Sequence, residues 1–182
     1  MNTSSIRIIG GRNKSYRIVF KASPDLRPTS DRAKETLFSW LQFEIENKSC
    51  LDLFAGTGGL GLEALSRGAN HVTFVEKEKV LHLNILKNIN RLGHGNNIEI
   101  FHNDAYRWLK TNKMTFDYIF LDPPFDRVKY PDLLNKIYES NIINEGGKIF
   151  LETSKHTELK LNDSQRILKD KIIGDVRLMI LQ

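Results

Sequence analysis

The chain has 182 residues, 40% of them hydrophobic and 27% charged, with a formal net charge of +5; this is the make-up of a globular protein with one domain and a substantial core. No apolar run approaches the roughly 18 residues that span a bilayer, and the opening stretch lacks the apolar centre of a secretory leader, so a membrane-spanning or exported protein is not expected. A single cysteine, Cys50, permits no internal disulfide and points to a reducing, cytoplasmic setting.

The positive charge is unevenly spread. Residues 1–34 hold eight lysines and arginines against two aspartates, a net +6, and the remainder of the chain carries −1. A basic arm ahead of a near-neutral domain is the electrostatic footprint of polyanion binding. Within it, Ile6-Arg7-Ile8-Ile9 and Tyr16-Arg17-Ile18-Val19-Phe20 flank Gly10-Gly11 as two short strands around a glycine turn. Pro24 and Pro28 punctuate the next loop, and Thr29-Ser30-Asp31 offers side-chain oxygens to cap a helix whose core stripe is Ala33, Leu37, Trp40 and Leu41. Residues 1–45 are therefore expected to form a basic hairpin-and-helix extension, and residues 46–182 the main domain.

From Cys50 onward, strand patterns at 50–54, 71–76, 97–102, 116–121 and 147–152 alternate with helical patterns near 59–67, 77–92, 104–111 and 130–141. Nearly continuous apolar strands separated by helices predict a mostly parallel sheet covered on both faces. Two final strands, 165–169 and 176–181, joined through Gly174-Asp175, predict an antiparallel hairpin at the sheet edge. The fold class is thus α/β with seven strands. Cys50, Trp40 and Trp108 fall at core positions, His71 and His102 lie in strands, and the five histidines show no metal-ligand spacing.

Ligands of open α/β sheets bind beyond the carboxyl ends of the strands, and four strand ends here carry suitable chemistry. After the first comes Gly56-Thr57-Gly58-Gly59, where missing side chains let backbone approach a ligand at a helix N-terminus. Asp52, just before it, can take a cationic amino group. The second strand ends in Glu76, twenty residues after Gly56, the spacing of an acid that holds ribose hydroxyls. The third is followed by Asp104, a carboxylate able to accept from an adenine amino group. The fourth delivers Asp122-Pro123-Pro124-Phe125. Its two prolines stiffen the turn and lack N–H donors, which leaves Asp122 and the Pro123 carbonyl as acceptors for the exocyclic amine of a flat base on which Phe125 can stack. A nucleoside-type cofactor facing a planar amino group follows.

Four segments carry a family resemblance: Ile8-Ile9-Gly10-Gly11, the stretch from Arg27-Pro28-Thr29 through Asp31-Arg32 to Phe38, the stretch from Leu51 to Ala69, and Asp122-Pro123-Pro124-Phe125. In them the chain resembles the class I S-adenosylmethionine-dependent methyltransferases, and more closely the RsmD family, bacterial enzymes that methylate guanine N2 in small-subunit (16S) rRNA. The family usually has a Gly-Arg pair near Ser15-Tyr16-Arg17, where this chain has no glycine.

The resemblance implies a Rossmann-like methyltransferase fold with the N-terminal extension binding RNA. It implies that Asp52 and the Gly56–Gly58 loop hold the methionine end of S-adenosylmethionine, Glu76 the ribose and Asp104 the adenine, with Phe54, Thr57, Lys77 and Ala105 completing the cofactor surface and S-adenosylhomocysteine as product. Asp122, Pro123, Pro124 and Phe125 become the catalytic turn. Arg7, Arg12, Arg17, Arg27 and Arg32 are the expected RNA contacts, Arg12 and Arg17 as phosphate ligands, while Arg27 and Arg32 could instead pin the arm to the catalytic domain. The expected partner is 16S rRNA in a partly assembled small subunit, bound by a monomer without a metal. Two alternatives carry different chemistry: a DNA or RNA amino-methyltransferase acting on adenine N6 or cytosine N4, and a non-catalytic RNA-binding assembly factor.

Overall fold

Side chains alternate between the two faces of a strand, and in this chain both faces meet helices. The computed structural model describes residues 3–21, 26, 28–93, 97–125, 128–162 and 165–182. In chain order the elements are β1 (Thr3–Arg7), β2 (Arg17–Lys21), α1 (Asp31–Trp40), β3 (Ser49–Asp52), α2 (Gly59–Ser66), β4 (His71–Glu76), α3 (Lys79–Leu92), β5 (Ile98–His102), α4 (Ala105–Thr111), β6 (Phe116–Leu121), α5 (Tyr130–Glu139), β7 (Ile143–Ser154), β8 (Ile167–Ile173) and β9 (Val176–Leu181). Seven strands form one sheet in the order β5-β4-β3-β6-β7-β9-β8. The pairs from β5 to β7 are parallel, and β9 pairs antiparallel with both β7 and β8.

Cys50, Phe74, Tyr118, Phe120, Phe150 and Ile180 pack with residues of α1, α2 and α3 on one face. Leu51, Val75, Phe116, Ile119, Leu121, Ile149, Leu151 and Met179 pack with α4 and α5 on the other. Both faces of the sheet are therefore dry across the central strands, as the continuous apolar strands require, while the edge strand β8 is largely exposed. Cys50 is fully buried and its burial pushes the thiol up, so it packs as a small hydrophobe. No helix among the described residues is long and apolar enough to cross a membrane.

Chain order runs outward from β3 to β5 on one side and from β6 onward on the other. That reversal opens a crevice between β3 and β6, at the carboxyl ends of the strands.

Several boundaries differ from the sequence expectation, four of them with a consequence for the fold. The first strand is Thr3–Arg7 rather than 6–9, because the Ile9 N–H donates to Glu63 Oε2 at 2.8 Å and leaves the ribbon. The third strand stops at Asp52 rather than 54, as Leu53 and Phe54 enter the glycine turn. β7 starts at Ile143 instead of 147 and passes an irregular register opposite Phe116–Tyr118. In the final hairpin β8 covers Ile167–Ile173 rather than 165–169, and only β8 is an edge, since β9 lies inside the sheet.

The N-terminal ribbon shares the core. Ile8 and Ile18 are buried in the same cluster as Leu37, Phe38, Leu60 and Ile85. Its turn clamps onto the C-terminal end of α2: Arg12 N–H donates to the Ser66 carbonyl at 2.8 Å and Asn13 N–H to Ser66 Oγ at 2.9 Å. Gly11 is required there, since a Cβ would come within 1.9 Å of the Ser66 carbonyl oxygen. Ser15 closes the turn with φ 73, a left-handed conformation that favours glycine.

Candidate active site

A cleft of about 860 Å³ opens over the crevice between β3 and β6, walled by the segments after β3, β4, β5 and β6 and roofed by parts of the N-terminal extension. All four expected acids, Asp52, Glu76, Asp104 and Asp122, line it, together with Phe54, Gly56, Thr57, Lys77, Ala105, Pro123, Pro124 and Phe125. Gly58 is not part of the wall. It is the N-terminal cap residue of α2 at φ 78, and its open side meets Ile85, where a Cβ would come within 3.1 Å. Its role is to turn the chain into α2.

The acids are fixed by main-chain donors. Asp52 is 2% exposed and accepts from the Gly61 N–H at 2.9 Å. Burial pushes its carboxyl up to about 7, against the pull of that N–H, and the charges of Asp122 and Glu76 add to the rise. Glu76 accepts from the Gly56 N–H at 2.6 Å through one oxygen and from the Glu78 N–H at 2.7 Å through the other. Its carboxyl is raised as well, by burial first. Because Gly56 and Glu76 are tied directly, the glycine turn and the end of β4 form one rim. Asp104 caps α4, with Oδ1 accepting from Tyr106 N–H at 3.0 Å and Arg107 N–H at 3.2 Å. So many carboxylates in one cleft favour a cation.

Asp122 is half-buried, and its Oδ2 accepts from the Thr29 hydroxyl at 2.7 Å. Thr29 lies between the ribbon and α1, and it too is buried. Of the three residues that sequence reading offered as capping oxygens, Thr29, Ser30 and Asp31, Ser30 is the cap, accepting from Ala33 N–H, and Thr29 turns to Asp122. Glu152, at the end of β7, is a second residue that sequence reading passed over: it is 5% exposed and lines the same cleft. Its signal was the one that exposed Glu76, an acid closing an apolar strand.

The basic candidates separate into groups. Arg7 and Arg17 are register partners across the ribbon, and both are exposed. Arg7 Nε lies 2.7 Å from Asp31 Oδ2. Arg12 is exposed at the ribbon's turn and Arg32 on the first turn of α1. Arg27, like Pro24, lies outside the described residues. Lys34 fastens the ribbon to α1: it is fully buried, donates to the Arg7 carbonyl, and places Nζ 3.1 Å from Asp31 Oδ1. Lys21, at the end of β2, lines the cleft and brings the basic ribbon to its rim.

A family model described as conserved hypothetical protein 95 matches residues 6–182. Over 175 residues the chain is 38% identical to the ribosomal RNA small subunit methyltransferase D of Buchnera aphidicola subsp. Acyrthosiphon pisum, covering 96% of this chain and 91% of that one. With the Escherichia coli K12 protein of the same name it shares 34% identity over 181 residues, 99% of this chain and 91% of its relative. Among solved structures, the putative methyltransferase yhhF from Escherichia coli superposes with a TM-score of 0.86 at 32% identity, covering 98% of each chain. By sequence and by fold, the chain belongs to the RsmD family, whose model carries the description conserved hypothetical protein 95.

Proposed function

We propose that the protein transfers a methyl group from S-adenosylmethionine to the exocyclic N2 of a guanine in small-subunit ribosomal RNA, acting on a partly assembled small subunit. The observation that carries this reading is the meeting, in one cleft, of the Asp122–Phe125 turn with the glycine turn and its acids, under a rim of basic ribbon. The names of the methyltransferase D relatives support the choice of RNA.

The residues suit the cofactor. Asp52 takes the amino group. Glu76 takes the ribose hydroxyls, since a carboxylate has about four acceptor positions and two go to Gly56 and Glu78. Asp104 and Ala105 receive the adenine at the start of α4. When bound, S-adenosylmethionine supplies an electrophilic methyl group on a sulfonium, and S-adenosylhomocysteine is left.

The chain's own contribution is orientation. The guanine amine is a poor nucleophile because its lone pair is delocalised into the ring. Asp122 and the Pro123 carbonyl accept its two N–H hydrogens and favour a pyramidal nitrogen, while Phe125 stacks on the base, a contact worth about 1–3 kcal/mol. Holding two reactants in line lowers a barrier by about 7–11 kcal/mol, so positioning outweighs proton abstraction, and the cationic product amine sheds its proton readily. A base must leave its stack to reach this turn, which favours a loop or an opened hairpin over duplex. The exposed Arg12 and Arg17, with Lys21 at the rim, grip the flanking phosphates.

The test uses small-subunit particles and naked rRNA that lack the modification, radiolabelled S-adenosylmethionine and nucleoside analysis of the product. N2-methylguanosine at a single site is the expected result, with particles labelled faster than naked RNA. Label on adenine N6, on cytosine N4 or on DNA alone would replace the proposed acceptor, and no transfer with the cofactor bound would end the enzymatic reading.

A further inference from the structure

Glu152 is a buried carboxylate in the cleft to which the reading above gives no task. Its position is set by strand register. Leu121 at the end of β6 pairs with Leu151 of β7, and Asp122 and Glu152 are the residues that follow each of them. Parallel neighbours lie about 4.8 Å apart, and successive side chains leave opposite faces of the sheet. Leu121 and Leu151 point into the α4–α5 side of the core. Asp122 and Glu152 therefore leave side by side on the other face, where Thr29 reaches Asp122. Both line the same cleft.

Resting on the guanine-N2 reading, we infer that Glu152 is the specificity-determining residue that reads the target base, by accepting the ring N1–H beside the amine held at Asp122 and Pro123. The chemistry of the three amino bases favours this assignment. Guanine presents two adjacent donors, the N2 amine and N1–H, so two neighbouring acceptors on the protein match its edge. Adenine sets its N6 amine beside a bare N1, and cytosine its N4 amine beside a bare N3. Each would turn a lone pair toward the Glu152 carboxylate. Apposed acceptors in a desolvated site are costly, and a site built to hydrogen-bond one group rejects an analogue lacking it far better than an apolar pocket could. Glu152 thus separates guanine from the two bases that could offer Asp122 the same amine.

The test compares guanine with 2-aminopurine at the methylated position, in rRNA ligated from two fragments and assembled into particles. 2-Aminopurine keeps the 2-amino group but has an unprotonated N1 and no carbonyl at C6. The wild-type protein is expected to prefer guanine by about 100-fold or more in kcat/KM. Glu152→Ala should narrow that preference to a few-fold and leave S-adenosylmethionine affinity within a few-fold of normal. Glu152→Gln, whose amide can accept from N1–H or donate to a bare N1, should give an intermediate ratio even if the alanine variant folds poorly. A wild-type ratio near one, or equal ratios in the wild type and both variants, overturns the inference while N2-methylguanosine formation still stands. Absence of N2-methylguanosine from the wild type overturns the parent reading, and this one with it.

Discussion

In the cleft the acids are anchored by main chain: Gly61 holds Asp52, Gly56 and Glu78 hold Glu76, and two amides of α4 hold Asp104. On the N-terminal ribbon the basic side chains stand outward from an exposed two-stranded surface, fastened at its base by Lys34 and at its turn by Ser66. Charge does different work in the two places. A carboxylate whose lone pairs meet backbone amides keeps one geometry, which transfer chemistry needs. An arginine on a solvated ribbon keeps its rotamers and adapts to a phosphate backbone. Substitutions in the cleft should therefore act on rate or cofactor affinity, and substitutions on the ribbon on salt-dependent RNA binding.

The sharpest break of that comparison is Asp122→Ala. Removing an acceptor that orients the amine should lower turnover by at least about 10³-fold and leave S-adenosylmethionine affinity, measured by calorimetry, within a few-fold. Near-normal turnover in single-turnover assays would take Asp122 out of the mechanism.

Asp52 gives the next largest effect, and it carries a sign. Its carboxyl is raised to about 7 by burial and by the neighbouring acids. A cationic ligand prefers the ionised form, so the affinity for S-adenosylmethionine should rise by up to about tenfold per pH unit as pH approaches 7, and level off above it. In the free protein the same group works the other way. A carboxyl raised on folding favours the folded state below its unfolded value of about 4, and that contribution is lost as pH rises toward 7. Asp52→Asn should flatten both profiles, with affinity followed by calorimetric titration and stability by denaturant midpoints at pH 5, 6, 7 and 8. A wild-type cofactor affinity that does not change between pH 6 and 8, together with unchanged affinity in Asp52→Asn, would show that Asp52 is not the amino-group ligand.

The two regions were also unequally legible from sequence. Each cleft acid follows an apolar run at the end of a strand, so its place in an α/β sheet could be read from pattern alone, and the strand order then brings the ends together. Thr29 and Lys34 carried no such pattern, because the acceptors they reach, Asp122 and the Arg7 carbonyl, lie 93 and 27 residues away in sequence. Glu152 did carry it and was passed over because the sheet order, which sets β7 beside β6, was needed to see the acid next to Asp122. On the ribbon, Ile8 and Ile9 look more strand-like than Thr3-Ser4-Ser5, yet the polar residues pair and Ile9 turns to Glu63. Hydrophobic alternation marks burial; β2 has it, and the largely exposed β1 does not.

On the ribbon, Arg12→Ala combined with Arg17→Ala should weaken RNA binding and reduce the slope of log affinity against log salt by about one to two, the number of phosphate contacts removed. The unfolding midpoint should stay put, since both side chains are exposed. An unchanged salt slope would remove these arginines from phosphate binding and shift attention to Lys21 at the cleft rim.

The smallest effect tests the ribbon's own geometry. Ser15 is held at φ 73 by a turn in which its N–H donates to the Ile8 carbonyl at 2.8 Å. A left-handed conformation costs a non-glycine residue about 1–2 kcal/mol, and glycine returns part of that gain through the extra entropy it loses on folding. Ser15→Gly should stabilise the protein by about 0.5–1 kcal/mol, read as a rise in urea midpoint with an unchanged slope. Because the side chain is exposed and does not line the cleft, turnover should not move. A stabilised turn with unaltered rate would show that the ribbon presents its arginines without setting the geometry of transfer; a change in rate would mean that the ribbon, through Thr29 and Asp122, reaches into the chemistry.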